Sequence, residues 1–286
     1  MDSETQTDQP DIVPRKKRKE NDLLALWAIH EPAYSGLLTG DGFRWDPDTQ
    51  DYTSDTGTRL GPNQIRSLAI HFATACELDL EQNAALLVNG DIDADEWHRR
   101  AQQEVDDEYF LLAALGVGGI DNLQDDDYQT IVGKLTTDTQ MGSGILDAQE
   151  RLLNFRDELT APKPADASPD AMGEAGSAKQ VINRAGMYAH GGYSMWASTQ
   201  QNSYRRLAQQ LQLEIEERNI LDDGAIHCRP RPFTFGCPEL TAVGWQKIGS
   251  LPPPGSERSC GPNCRCHFEY RISHPDAQST DESASN

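Results

Sequence analysis

The chain is poor in positive charge. Its 25 Lys and Arg stand against 46 Asp and Glu, a net charge of −21 over 286 residues. Wrapping duplex DNA with a whole surface needs a net of cations, so any nucleic-acid contact must be local. Long apolar runs are missing too. Nothing approaches the roughly 18–20 consecutive apolar residues that span a bilayer, and the first residues carry no apolar stretch of the secretory kind. The chain therefore reads as soluble and unexported, with no membrane partner. His-Glu-x-x-His does not occur, nor does the Gly-Lys-Ser/Thr of a phosphate-binding loop. Gly116-Val117-Gly118-Gly119 follows a helical pattern rather than a strand, and reads as a helix stop. Cysteine is scarce, at six residues, yet Cys228, Cys237, Cys260, Cys264 and Cys266 all fall in the last quarter. That is too few for a disulfide scaffold and too crowded to ignore.

What is present reads mostly as helix. Leu23, Leu24, Leu26, Trp27 and Ile29 suggest a short helix ending near Pro32, and Phe43 to Thr49 an extended piece entering a turn at Asp46-Pro47-Asp48. Ile65, Leu68, Phe72 and Cys76 recur at helical spacing from about Gln64 to Val88, with Cys76 as a small core residue. Asp91, Asp93, Asp95 and Glu96 lack the Gly and Glu a calcium loop needs, and read as carboxylates opening the next helix, Trp97 to Leu112. Residues 77–127 hold 15 acidic side chains and only Arg99 and Arg100 as cations, which most simply marks a solvated face. Helical patterns follow at Tyr128 to Thr139, Asp147 to Leu159, and over a long stretch from about Ala175 to Gln210 that Gly191-Gly192 should bend or weaken. Leu211, Leu213 and Ile215 alternate with polar residues, consistent with helix end or strand.

The expected class is α+β: a mostly α-helical body with a small C-terminal module, zinc-stapled and rich in β-structure and loops. The expected divisions are a disordered basic arm (1–21), a helical domain (22–160), a Pro-rich linker (161–173), a long helix (174–220), a Cys-rich module (221–271) and a disordered tail (272–286). The arm carries Arg15, Lys16, Lys17, Arg18 and Lys19. Such a block suits a nuclear import signal, a contact with nucleic acid, or a solvated tail.

In the Cys-rich module, eight residues separate Cys228 from Cys237, 22 separate Cys237 from Cys260, and three and one separate Cys260, Cys264 and Cys266. Two thiol clusters at such a distance can each supply two ligands to a tetrahedral Zn2+ while the intervening loop closes around it. The metal would staple a segment too rich in Pro and Gly to hold itself by burial. Cys228 and Cys237 form one half-site; Cys260, Cys264 and Cys266 form the other, with His227 and His267 as substitutes. Disulfides in an oxidising setting and free thiols are the alternatives. Thiols in excess of four ligands favour a structural zinc over a catalytic one, and no catalytic constellation stands out, so no enzymatic activity is expected.

Cys260-Gly-Pro-Asn-Cys-Arg-Cys-His-Phe-Glu-Tyr-Arg271, preceded by Ile248-Gly-Ser-Leu-Pro-Pro-Pro-Gly255 and by His227-Cys228, resembles the C-terminal end of phage head morphogenesis proteins, the Mu F-like minor capsid proteins of phages and prophages. Arg44 to Thr49, Asp95-Glu96-Trp97 and Arg184 to Ala189 are similar to the same proteins, more loosely. The chain departs from that pattern around Phe233 to Gly236, where the close Cys pair is stretched. The resemblance implies a virion component, made in the host cytoplasm, that docks on the portal or major capsid protein and serves head assembly, DNA packaging or ejection. In such a protein Arg15 to Lys19 would touch packaged DNA or an acidic partner. The alternative is a zinc-ribbon-like nucleic-acid-binding or regulatory protein, with Arg229, Arg231, Lys247, Arg258 and Arg265 as its binding face.

Overall fold

A computed structural model describes residues 20–135, 148–169, 171–222, 228–230, 235–254, 258 and 264–273. The arm residues Arg15 to Lys19, the expected tail beyond Ser273, and the site candidates His227 and Cys260 lie outside these; Ile272, expected in the tail, ends a strand. The fold is α+β, mostly helical with small antiparallel sheets.

The first helix, α1 (Glu20–His30), leads to a three-stranded antiparallel sheet of β1 (Phe43–Asp46), β2 (Asp51–Ser54) and β3 (Arg59–Leu60). The turn at Asp46 forms as expected, its Oδ1 accepting from Asp48 N at 3.0 Å. Two long helices follow. α2 (Pro62–Asn89) starts on a Pro and ends where Gly90 takes φ +79 and donates its N–H to the Leu86 and Leu87 carbonyls. Its inward stripe is Ile65, Leu68, Phe72, Cys76, Leu80, Ala84 and Leu87, which confirms Cys76 as core. α3 (Ala94–Val117) is capped by Asp93, whose side chain accepts from Glu96 N at 2.8 Å, so the aspartate run opens a helix. Gly118, at φ +89, ends it under the Trp45 ring.

α3 is the centre of the body, packed against α2, α4 (Asp125–Leu135), α5 (Ala148–Thr160) and α7 (His190–Leu211). That enclosure breaks the expected solvated acidic face at three positions: Asp107, Glu108 and Asp127 are buried, while the other twelve carboxylates of residues 77–127 are exposed or half-buried. Asp127 meets Arg206 Nη2 at 2.9 Å and Asn202 Nδ2 at 3.2 Å.

The expected long helix is not one element. α6 (Ala178–Gly186), capped by Ser177 and Gln180, gives way to a 3-10 turn at Met187–Ala189 before α7 begins. Gln212, at φ +53, closes α7, and the alternating segment becomes strand β4 (Ile215–Ile220). One core runs from Leu23 to Ala197, so residues 161–173 do not separate two bodies.

Gly116 is a packing residue. A Cβ there would press on the Thr199 side chain and on the α7 backbone, with Trp196 O at 2.7 Å. Gly133, exposed on α4, has nothing within 4 Å of such a Cβ. Gly116→Ala is therefore expected to destabilise the chain by about 1–3 kcal/mol, and Gly133→Ala to stabilise it by about 0.4–1 kcal/mol. Denaturant unfolding of the two variants side by side checks the opposite signs.

Candidate metal centre

β4 is the middle of the second sheet, ordered β5 (Gln246–Lys247), β4, β6 (His267–Ile272), all antiparallel. Its residues alternate, with Ile215, Glu217 and Asn219 turned inward. Short helix α8 (Cys237–Ala242) covers one end, held by Asn219, whose Nδ2 donates to Thr241 Oγ1 at 2.7 Å and to Cys237 O at 3.3 Å.

Three thiols converge here. Cys237 opens α8, while Cys264 and Cys266 lie two residues apart just ahead of β6, so extended chain turns both to one side. All three are buried, with sulfurs within 4.8 Å of one another. Cys237 Sγ and Cys264 Sγ are 3.9 Å apart. A tetrahedral site with metal–sulfur bonds of about 2.3 Å has edges of about 3.8 Å, so this spacing suits a shared ion. It is too long for a disulfide, and none of the described cysteines is bonded to another. Hydrogen bonding to Cys237 and Cys264, with burial, pushes the Cys266 thiol up, so that thiol keeps its proton until a cation displaces it. The group can hold a metal ion.

Of the expected ligands, Cys237, Cys264 and Cys266 meet. Cys228 is half-buried and packs against them without joining the trio. Cys260 and His227 fall outside the described residues. His267 sits at the start of β6 opposite Ile220 and is not in the group. The half-site division is thus incomplete: Cys237 stands with the downstream pair.

Arg258 is the neighbour the sequence did not reveal. It is 1% exposed. Its Nη1 donates to Asn219 Oδ1 at 2.6 Å and lies 3.8 Å from Cys264 Sγ; Nε and Nη2 donate to Pro252 O at 3.0 and 2.8 Å. Among the described residues no carboxylate is within ion-pair distance of it. A buried guanidinium is stabilised by a negative partner, which thiolates gathered on a metal would supply. Arg258 therefore cannot belong to an exposed cationic face, although Arg229, Lys247 and Arg265 are exposed.

The module is latched to the helical body. Lys134, on α4, donates to Ser194 Oγ on α7 at 2.9 Å and to Pro254 O at 3.3 Å. Burial lowers its pKa to about 7. Glu217 accepts from Gln201 Nε2 at 2.8 Å and from Leu251 N at 2.9 Å; burial raises its pKa against the pull of these donors. Tyr204 of α7 stacks on Tyr270 of β6 at 3.9 Å. Among the described residues, no helix is long and apolar enough to cross a membrane. Compared with models of protein families, with curated proteins and with solved structures, the chain matches none of them.

Proposed function

We propose that this chain is a minor capsid or head morphogenesis protein of a phage or prophage, a non-enzymatic component acting near the portal, and that its thiol cluster holds a structural Zn2+. The supporting observation is the fate of the Cys260-to-Arg271 motif. Its last two cysteines are buried against Cys237, and its His-Phe-Glu-Tyr-Arg continuation is the edge strand β6. The residues that carry the likeness to Mu F-like proteins are thus the ones that fasten the module to the helices, which suits a scaffold that must stay rigid in a particle. All-thiolate or thiolate-rich donor sets select zinc among abundant divalent ions. Zinc here fixes the chain and Arg258 balances the charge of its ligands; the portal or major capsid protein is the partner, with local DNA contact left to Arg15 to Lys19.

Gradient-purified particles from cells producing this chain are expected to contain it, by mass spectrometry, beside portal and capsid proteins. Recovery of the whole pool as free protein at the top of the gradient, from cells that make complete particles, would overturn the proposal.

A further inference from the structure

A second group of metal-binding side chains lies inside the helical body, far along the chain from the thiols. His30 ends α1, Asp79 is on α2 and Glu104 is on α3. One ligand atom of each lies within 4.8 Å of the other two, and all three residues are half-buried. His30 Nε2 stands 2.9 Å from Asp79 Oδ2.

Three such residues alone could be an ordinary ion pair with a neighbour. Glu108 argues otherwise. It follows Glu104 by one helical turn, on the same face of α3. It is 0% exposed, and neither carboxylate oxygen has a hydrogen-bond partner among the described residues. It presses against Gly192 of α7. Burial, with the charges of Glu104 and Glu77, pushes the Glu108 carboxyl well up, and burial with the charges of Glu108, Glu104 and Asp79 does the same to the Cys76 thiol, which hydrogen-bonds to Glu104. Glu77 in turn meets His190 Nε2 at 3.3 Å.

Carboxylates from two helices thus share one interior with an imidazole at either end. Among the described residues neither Asp79 nor Glu108 is paired with Lys or Arg. A buried carboxylate without hydrogen bonds costs several kcal/mol unless it is protonated or meets a cation. Two carboxylates and an imidazole drawn from facing helices are the donor set with which helical bundles hold divalent ions such as Mn2+, Fe2+ or Zn2+. His30 also lines a surface cavity of about 690 Å3 beside Glu31 and His71.

We propose that His30, Asp79 and Glu104 form a divalent-cation site at the junction of α1, α2 and α3, with the buried, unpartnered Glu108 one helical turn beyond Glu104 on α3. The site is independent of the thiol cluster, and its ion clamps the three helices together.

The test is a Mn2+ titration of the full chain with its zinc retained, followed by electron paramagnetic resonance of the free ion and by thermal unfolding. Mn2+ is a poor match for thiolates, which keeps the two sites apart. About one Mn2+ per chain is expected to bind saturably and to raise the melting temperature. Asp79→Asn and Glu104→Gln are each expected to weaken binding more than about tenfold. Without Mn2+ Asp79→Asn should melt somewhat lower, because it gives up the pairing with His30; the discriminating readout is the rise in melting temperature on adding Mn2+, which both variants should lose and a merely structural role would leave unchanged. His30→Gln, at the end of α1, is the milder variant and should also lose affinity. Absence of saturable binding by the wild-type chain overturns the proposal, as does binding unchanged in the folded variants.

Discussion

Replacing Cys264 with Ser is expected to release the metal and open residues 213–273 to protease while the helices between Glu20 and Leu211 stay folded. The reason lies in how little else holds the module. Its own apolar cluster is Leu240, Leu251 and Phe268, with Tyr270 packed against it. Full burial of such side chains contributes about 1.5–3 kcal/mol each. A three-stranded sheet whose edge β5 has two residues adds little to that. Structural zinc carries roughly 10–16 kcal/mol in small modules. The body, by contrast, has one core from Leu23 to Ala197. Limited proteolysis with mass mapping reads the outcome: new cuts confined to the module are expected. Resistance of the variant equal to that of the wild type would mean the thiols only fill space.

The second large effect is expected from Arg258→Met. The guanidinium is 1% exposed, donates to Asn219 Oδ1 and twice to Pro252 O, and stands 3.8 Å from Cys264 Sγ. Removing it strands the buried Asn219 Oδ1, at about 1–3 kcal/mol, frees the half-buried Pro252 carbonyl, and takes a guanidinium away from Cys264 Sγ. A loss of about 2–5 kcal/mol in denaturant unfolding is therefore expected. A competing chelator should also extract the metal at lower concentration. Arg258→Lys should recover little, because an ammonium cannot span Asn219 and Pro252 in a fixed fork. A variant that loses stability but gives up its metal at the wild-type chelator concentration would show that Arg258 packs the loop without balancing the centre.

Much of this architecture was legible from residue order, and the failures have identifiable causes. Helices α2 and α3 announce themselves by apolar spacing and by their caps, Gly90, Asp93 and Gly118. Glu108 does not. A carboxylate buried against Gly192 of α7 looks, in sequence, like Asp106 two residues before it. Burial there is decided by which helices enclose α3, and Gly191 and Gly192 permit that approach by leaving room for Tyr109 and Glu108. The break at Met187–Ala189 leaves no Pro and no charge pattern behind. The strand after α7 depends on Gln212 adopting a left-handed conformation and on β6, more than 40 residues later, pairing with it. At the thiol centre, cysteine crowding marked the region, but spacing could not say that Cys237 would join Cys264 and Cys266 rather than Cys228. A single Arg in a Pro- and Gly-rich loop gives no sign that it will be buried. Asn219 looks like any polar residue of a short strand until α8 is seen lying over it.

The central claim is that thiols from α8 and from the approach to β6 meet on one ion. Substituting Co2+ into the purified, reduced chain and recording its visible and near-ultraviolet absorption tests it most directly. The account predicts the strong bands of tetrahedral cobalt with sulfur-to-metal charge transfer, at about one ion per chain, weakened by Cys237→Ser, Cys264→Ser or Cys266→Ser alike. Weak octahedral bands without charge transfer, unchanged by those three substitutions, would contradict it.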